Sequence, residues 1–369
     1  MEESDVTTLP ADQRAALLEA VSRLLATESS EASVRRTMAT PAGYDRALWK
    51  QLADMGVAGL VVDEAHGGAG AGAVELEAVM ELAGAALLCA PLLASSVLAA
   101  ELLRASGDEA AQARLLPGIA SGATIATAAL TGDAGTWTRD GVSVTAAGEA
   151  LSGVASYVLH AQNADVLLVL ARERDDVAIY EVDPRARGVA IAALPTFDHT
   201  LRLARIAFDG APGRRIAGDG WRAAEAALDL ALVALAGEQA GGSRRCLELT
   251  VEYAKNRFQF GRAIGSFQAV KHMAADLLLE AESAVSAARS AAEQLAAGSA
   301  EARAAVPLAA FACADAFTQV AATSIQMHGG IAFTWENPAH LYLRRARSGA
   351  QLFGSPSAHR ERYLAALGA

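Results

Sequence analysis

The chain of 369 residues predicts an α+β protein in three parts: an N-terminal helical domain, a middle antiparallel, barrel-like β domain, and a C-terminal four-helix bundle. Apolar residues recur at helical spacing from 11 to about 118, and β-branched residues and turn dipeptides concentrate between Thr124 and Gly213. Ala/Leu-rich runs of helical length resume after Gly218-Asp219-Gly220. The expected domains are therefore 1–120, 121–216 and 217–369. A chain this long exceeds one small core and has the apolar surface for several.

In the first part, Ala15-Ala16-Leu17-Leu18 is followed by Val21, Leu24 and Leu25, the three- and four-residue repeat of an amphipathic helix. Leu82 to Ala100 is nineteen residues without a charge, about the length that spans a bilayer. Its composition points elsewhere. It is mainly alanine with two serines and a central Pro91, and Glu81 and Glu101 bracket it, so two short buried helices broken near Pro91 are expected and no membrane span. Gly67-Gly68-Ala69-Gly70-Ala71-Gly72 lacks the third glycine of a dinucleotide-binding turn at the required offset, and no second strand with an acidic residue follows; a loop between helices is expected.

The β domain is read from Val142-Ser143-Val144-Thr145, Val166 to Leu170, Val177 to Tyr180 and Arg205 to Phe208, with turns at Asp140-Gly141, Asp183-Pro184 and Asp209-Gly210. Long helices follow at Trp221 to Asn256, Ser266 to Ala297 and Ala302 to His328, then shorter ones from Pro338 and from Pro356. Helices apolar on several faces also point to subunit contacts.

A net charge of -11 and an isoelectric point near 5.2 exclude a nucleic-acid groove, which needs concentrated Lys and Arg. The acidic start Met1-Glu2-Glu3-Ser4-Asp5 does not read as a secretory signal. Cys89, Cys246 and Cys313 lie far apart in apolar runs without metal-ligand or redox spacing, so buried free thiols of a reduced, cytoplasmic protein are expected.

Two blocks carry the chemistry. One runs from Tyr253 through Arg257-Phe258-Gln259-Phe260-Gly261-Arg262 to Gln268; the other is Gln326-Met327-His328-Gly329-Gly330-Ile331 through Glu336. Each ends a helical stretch in Gly-containing polar sequence, where backbone donors and the planar fork of an arginine can meet an anionic group. His328 lacks a partner carboxylate or nucleophile nearby in sequence and reads as a packing or capping histidine.

Together these blocks resemble the flavin-binding signature of the acyl-CoA dehydrogenases, and the α, β, α order resembles that family's fold over nearly the whole chain. The resemblance implies FAD as cofactor. It implies that Arg257, Phe260 and Gln268 contact an FAD bound largely by a neighbouring subunit, and that Gln326, Gly329 and Gly330 let its pyrophosphate and adenosine approach the backbone. In the middle domain, Ala129-Leu130-Thr131-Gly132-Asp133 stands where the family has an Ala-x-Thr-Glu-Pro type of flavin loop; Thr131 and Trp137 are the implied flavin neighbours.

The implied reaction is α,β-desaturation of an acyl-CoA thioester, with a carboxylate taking the α-proton and flavin accepting the β-hydrogen as hydride. The usual carboxylate positions are empty of carboxylates. Phe353, in Leu352-Phe353-Gly354-Ser355, stands at one, and Ala231 at the other, on the first bundle helix. Glu238 lies seven residues beyond Ala231, on roughly the same face about 10 Å along the axis, and is the candidate displaced base; Asp229 falls on another face.

The run from Leu352 to Pro356 further resembles a short branch found in actinobacterial two-gene dehydrogenases. A subunit whose active site is completed by a paralogous chain is one reading. A homo-oligomeric dimer or tetramer using Glu238 is another, and a redox-weakened scaffold or a non-dehydrogenase on the same fold is a third. The family further implies an electron-transfer flavoprotein-like acceptor.

Overall fold

The structure is a computed structural model and describes residues 8–369. Six helices open the chain: α1 (Ala11–Glu28), α2 (Glu31–Met38), α3 (Arg46–Asp54), α4 (Ala73–Ala85), α5 (Ala100–Ser106) and α6 (Glu109–Ala120). Short polar side chains start several of them. Ser30 caps α2 and Asp45 caps α3, while Asp108 accepts from Ala111 N at 2.9 Å to cap α6. The second Asp108 oxygen accepts from Ala217 N at 2.8 Å, tying this helical part to the link that leaves the sheet.

The uncharged 82–100 segment breaks as its proline requires. Helix α4 stops at Ala85, Leu87 takes φ 48, and after Pro91 the chain forms a fully buried π-helical stretch, Leu92–Ala99, that runs into α5. The Gly67–Gly72 loop folds back on a turn, with Gly70 N donating to Val62 O and Ala71 N to Leu60 O; no strand precedes it among the described residues.

The middle sheet has eight strands: β1 (Ala126–Ala129), β2 (Thr145–Ala147), β3 (Ala150–Leu159), β4 (Val166–Glu173), β5 (Asp176–Val182), β6 (Val189–Ala193), β7 (Leu203–Pro212) and β8 (Arg214–Ile216). Their order is β6-β7-β3-β2-β4-β5-β8, with β1 beside β4. Two expectations are corrected. The sheet is not wholly antiparallel: β1 runs parallel to β4, from Ala126 opposite Val166 to Ala129 opposite Val169. All four β1 residues are buried, and Ser95 of the π-helical stretch accepts from Ala126 N at 3.1 Å, so the strand is held between sheet and helices as parallel strands are. Asp209-Gly210 is not a connecting turn. It lies inside β7, where Ser152 pairs with Asp209 and Leu151 with Ala211; Gly210 at φ 62 is the unpaired bulge residue.

The C-terminal part holds α7 (Gly220–Asn256), α8 (Gln268–Ala296), α9 (Ala302–His328), α10 (Ala339–Gly349) and α11 (Pro356–Leu367). Helix α7 is the spine, packed against α4, α8 and α9. Glycines permit its close crossing with α4: a Cβ at Gly84 falls 1.9 Å from Glu238 O, and one at Gly241 falls 1.8 Å from Glu81 O. Helix α9 is long and apolar enough to cross a membrane by length and composition, and 56 % of its apolar window is buried among its neighbours here. The three cysteines are buried and free.

Candidate functional site

The two sequence blocks meet at one end of the bundle. Helix α7 ends at Asn256, and Arg257 leaves in extended conformation into a hairpin, β9 (Phe258–Gln259) and β10 (Arg262–Ala263). Phe260 and Gly261 form its two-residue turn at φ 53 and 76, positive at both positions as the twist of a tight hairpin demands. Phe260 is 90 % exposed and meets Phe267 edge to face, while Arg262 lies 3.9 Å over the Phe267 ring. Gln268 is the first residue of α8, a start without a side-chain cap, so its first amide donors are open.

The second block joins the first through the packing of α9 on α7. The Tyr253 ring stacks on His328 at 4.4 Å and its hydroxyl donates to His328 O. His328 Nδ1 lies 2.8 Å from Ser324 O, and the Ser324 hydroxyl is bonded to that of Thr250. Burial pushes the His328 pKa down. The histidine is a packed helix-end residue, as its sequence context predicts. Beyond it, Gly329 (φ 68) and Gly330 have nothing within 4 Å of where a Cβ would stand, leaving open backbone beside exposed Gln326. Arg257 is exposed and makes no ion pair among the described residues.

A cavity of about 580 Å³ opens between the sheet and α10. Trp137 and Tyr157 come from the sheet side, Phe197 and Leu201 from the segment between β6 and β7, and Arg347 and Gln351 from the end of α10. Thr131 is not in its wall. It is 2 % exposed and its hydroxyl donates to Thr136 O at 2.7 Å, so it closes the loop that presents Trp137 and has no hydroxyl hydrogen to offer a ligand. Asp133, two residues on, accepts from Arg205 Nε and Nη2 and from the Ser156 hydroxyl; those bonds hold its carboxyl down at about 2.

Comparison with known proteins decides the family. The profile described as "Acyl-CoA dehydrogenase, N-terminal domain" matches residues 11–123, and that for the "C-terminal domain" matches 218–368. The acyl-CoA dehydrogenase IpdE2 of Mycobacterium tuberculosis is 35 % identical over 354 residues, covering 94 % of this chain and 95 % of that protein. The chain belongs to the acyl-CoA dehydrogenase family. Among solved structures, the ChsE4-ChsE5 complex from Mycobacterium tuberculosis superposes with TM-score 0.89 at 30 % identity over 99 % of both chains. A variant of the Tcur3481-Tcur3483 steroid ACAD superposes at 0.87 with 27 % identity, covering 97 % of this chain and 98 % of that one. The chain is thus an oxidoreductase of the acyl-CoA dehydrogenase type, a class of flavoproteins of lipid metabolism.

Phe353 and Ala231, where the sequence resemblance leads one to expect a carboxylate, are apolar and buried. Phe353 is 4 % exposed and packs edge to face on Trp137 at 5.2 Å, held at φ 63. Trp137 also lines a second cavity of about 610 Å³, with Trp221, Asp229, Arg303 and Arg362, so Trp137 stands in the wall of both spaces with Phe353 packed behind it. Ala231 is fully buried in α7. Asp229 is ion-paired with Arg362.

Glu238 is buried in a different setting. Its Oε1 accepts from Arg345 Nη1 at 3.3 Å, Arg345 Nη2 donates to Leu88 O at 2.9 Å, and Arg345 Nε stands 3.2 Å from Asp198 Oδ2. The space Glu238 and Arg345 share with Leu88, Leu92 and His160 is about 20 Å³, room for about one water and for no acyl chain. Sequence reasoning missed Arg345, Asp198 and Tyr157. The available signal was Arg344-Arg345 directly after Leu341-Tyr342-Leu343, because a helix that turns this apolar side toward the core buries one of the two arginines and must find it acids.

Proposed function

We propose that this chain is a subunit of an FAD-dependent acyl-CoA dehydrogenase whose active site is completed by a paralogous chain. The observation that carries the reading is a contrast. The residues expected to serve a neighbour's cofactor lie at one end of the bundle, with Arg257, Phe260, Gln268, Gln326 and Gly330 exposed and Gly329 half-buried but with open space at its Cβ position, whereas the position expected to serve the chain's own chemistry is Phe353, buried against Trp137.

In this reading the Arg257 guanidinium pairs with pyrophosphate oxygens of the partner's FAD, Gln268 adds a donor beside the open start of α8, and the bare Gly329-Gly330 backbone admits the nucleotide. Bound flavin supplies a two-electron acceptor. The α-proton is taken by a carboxylate of the partner, since neither Phe353 nor Ala231 accepts one. The ChsE4-ChsE5 complex, a two-protein assembly by its name, supports the paired arrangement. The steroid named with the Tcur3481-Tcur3483 protein supports a bulky polycyclic acyl-CoA as substrate. An electron-transfer flavoprotein-like acceptor and a cytoplasmic setting without a membrane span complete the reading, the latter in keeping with three free thiols.

The flavin-to-chain ratio tests this. Made alone, the chain is expected to be colourless or substoichiometric in FAD and inactive on acyl-CoAs with an artificial acceptor; made with the product of an adjacent paralogous gene, it is expected to be yellow and active. Full loading of the chain alone, with turnover abolished by Glu238→Gln, establishes the self-sufficient enzyme instead.

A further inference from the structure

We propose that Glu238 and Asp198 are positioning residues that act through Arg345 to fix one wall of the Trp137–Tyr157 cavity. The wall in question is the segment between β6 and β7, residues 194–202, which supplies Leu194, Thr196, Phe197 and Leu201 to the cavity. It has no helix or strand of its own, so side chains must set its position. Asp198 is the knot. It is 1 % exposed, its Oδ1 accepts from Thr200 N at 2.8 Å and from the Thr200 hydroxyl at 2.6 Å, and the Thr196 hydroxyl donates to its carbonyl at 2.7 Å.

The remaining Asp198 oxygen faces Arg345, which is 4 % exposed and reaches three parts of the molecule at once: the β6–β7 segment, Leu88 at the end of α4, and Glu238 on α7. The neighbouring Arg344 works on the outer side of the same segment. It donates to Phe197 O at 2.8 Å and lies 4.7 Å over the Phe197 ring. Helix α10 thus holds one wall with two consecutive arginines while Arg347, Ser348 and Gln351 of its last turn and exit form the facing wall.

Charge balance assigns Glu238 its part. One guanidinium faces two carboxyl groups in a buried space, and no other cation pairs with them among the described residues: His160 is pushed down to about 3 by burial and by Arg202 and Arg345, so it stays neutral. Burial, the largest influence, and Asp198 both favour a proton on Glu238. Protonated or not, Glu238 offers Oε1 to Arg345. The small space beside it excludes a thioester in any case.

The inference rests on the cavity being part of the dehydrogenase site, and its test separates the two. Hydrogen exchange in the full chain is compared for Glu238→Gln, Glu238→Leu and Asp198→Asn, and the same variants are assayed in the flavin-loaded complex with the paralogous chain. Glu238→Gln keeps the acceptor and is expected to match wild type within twofold throughout. Glu238→Leu and Asp198→Asn are expected to speed exchange of the 194–203 amides about tenfold while α8 and α9 amides stay at wild-type rates. They are also expected to raise KM about tenfold with kcat within threefold. Exchange that rises across every helix, or a 194–203 segment unmoved by Glu238→Leu, overturns the positioning role, as does a Glu238→Gln variant whose kcat falls a hundredfold. If no two-chain complex forms, the exchange result still decides the positioning and only the two-chain reading fails.

Discussion

Arg257 illustrates how much a single exposed side chain can carry when nothing inside the chain needs it. It lies outside every ion pair among the described residues and its backbone alone closes α7, donating to Tyr253 O and accepting from Ile264 N at 2.8 Å each. Removing the guanidinium therefore costs the fold almost nothing, whereas a charge-assisted bond to a phosphate is worth about 1.5–3 kcal/mol. Arg257→Gln is expected to weaken FAD binding by the two-chain complex about 10- to 100-fold with a melting temperature within 1–2 °C of wild type, roughly what exposed substitutions allow. Flavin titration followed by differential scanning fluorimetry of the flavin-free protein reads both. Phe353 shows the opposite economy. Its left-handed backbone is costly for a bulky residue, about 1–2 kcal/mol, and is held by burial against Trp137, so the position is committed to packing.

At the scale of elements, the α4–α7 crossing is a joint of backbone on backbone. Gly84, Gly237 and Gly241 let one helix backbone lie on the other, and Gly241→Ala places a methyl 1.8 Å from the Glu81 carbonyl oxygen. Neither backbone can yield, so about 2–3 kcal/mol of lost stability is expected from urea unfolding, the usual scale of overpacking in a core. The same joint buries Glu77, whose pKa rises to about 8, chiefly through burial and then through Glu81. A carboxyl that prefers its proton in the folded state stabilises the fold fully below the unfolded value of 4.5 and loses that contribution as pH rises to about 8. The melting temperature should fall between pH 6 and 8, and Glu77→Gln should flatten that slope; an unchanged slope assigns it to other groups. These joints also mark what the sequence could and could not disclose. The long helices announce themselves as Ala/Leu runs, because burial on several faces leaves little polar sequence to confuse them. Strand β1, Ala-Thr-Ala-Ala, carries no β-branched pattern apart from one threonine, and the Gly210 bulge imitates a turn, because both are set by neighbouring strands. The two blocks expected to meet a cofactor are each contiguous and so stand out in the sequence; the Glu238–Arg345–Asp198 cluster was not legible, since its members lie on three separate segments and only the fold brings them together.

For the molecule as a whole, the decisive feature is where its large apolar side chains face solvent. Phe258, Phe260, Phe333 and Trp335 are 64, 90, 80 and 54 % exposed, and all four belong to the Arg257–Gln268 and Gln326–Glu336 blocks. The core does not need these rings. Arg344 bridges Trp335 to Phe197, which lines the sheet–α10 cavity, so the aromatic end of the bundle and the cavity rim are physically continuous. Aromatic anchors at the centre of an interface typically lose more than 1 kcal/mol each on truncation, and a loss of about 1.4 kcal/mol is tenfold in affinity. The joint substitution Phe260→Ser and Phe333→Ser is therefore expected to weaken association with the partner subunit at least tenfold and to strip flavin with it, while the isolated chain unfolds at the wild-type denaturant midpoint. Analytical ultracentrifugation of the co-expressed pair, with flavin absorbance as a second channel, makes the comparison. Loss of flavin from a complex that still sediments intact places these rings at the cofactor alone; an intact, fully flavinated complex removes them from the interface and moves the search to the exposed Leu278 and Leu279 on α8.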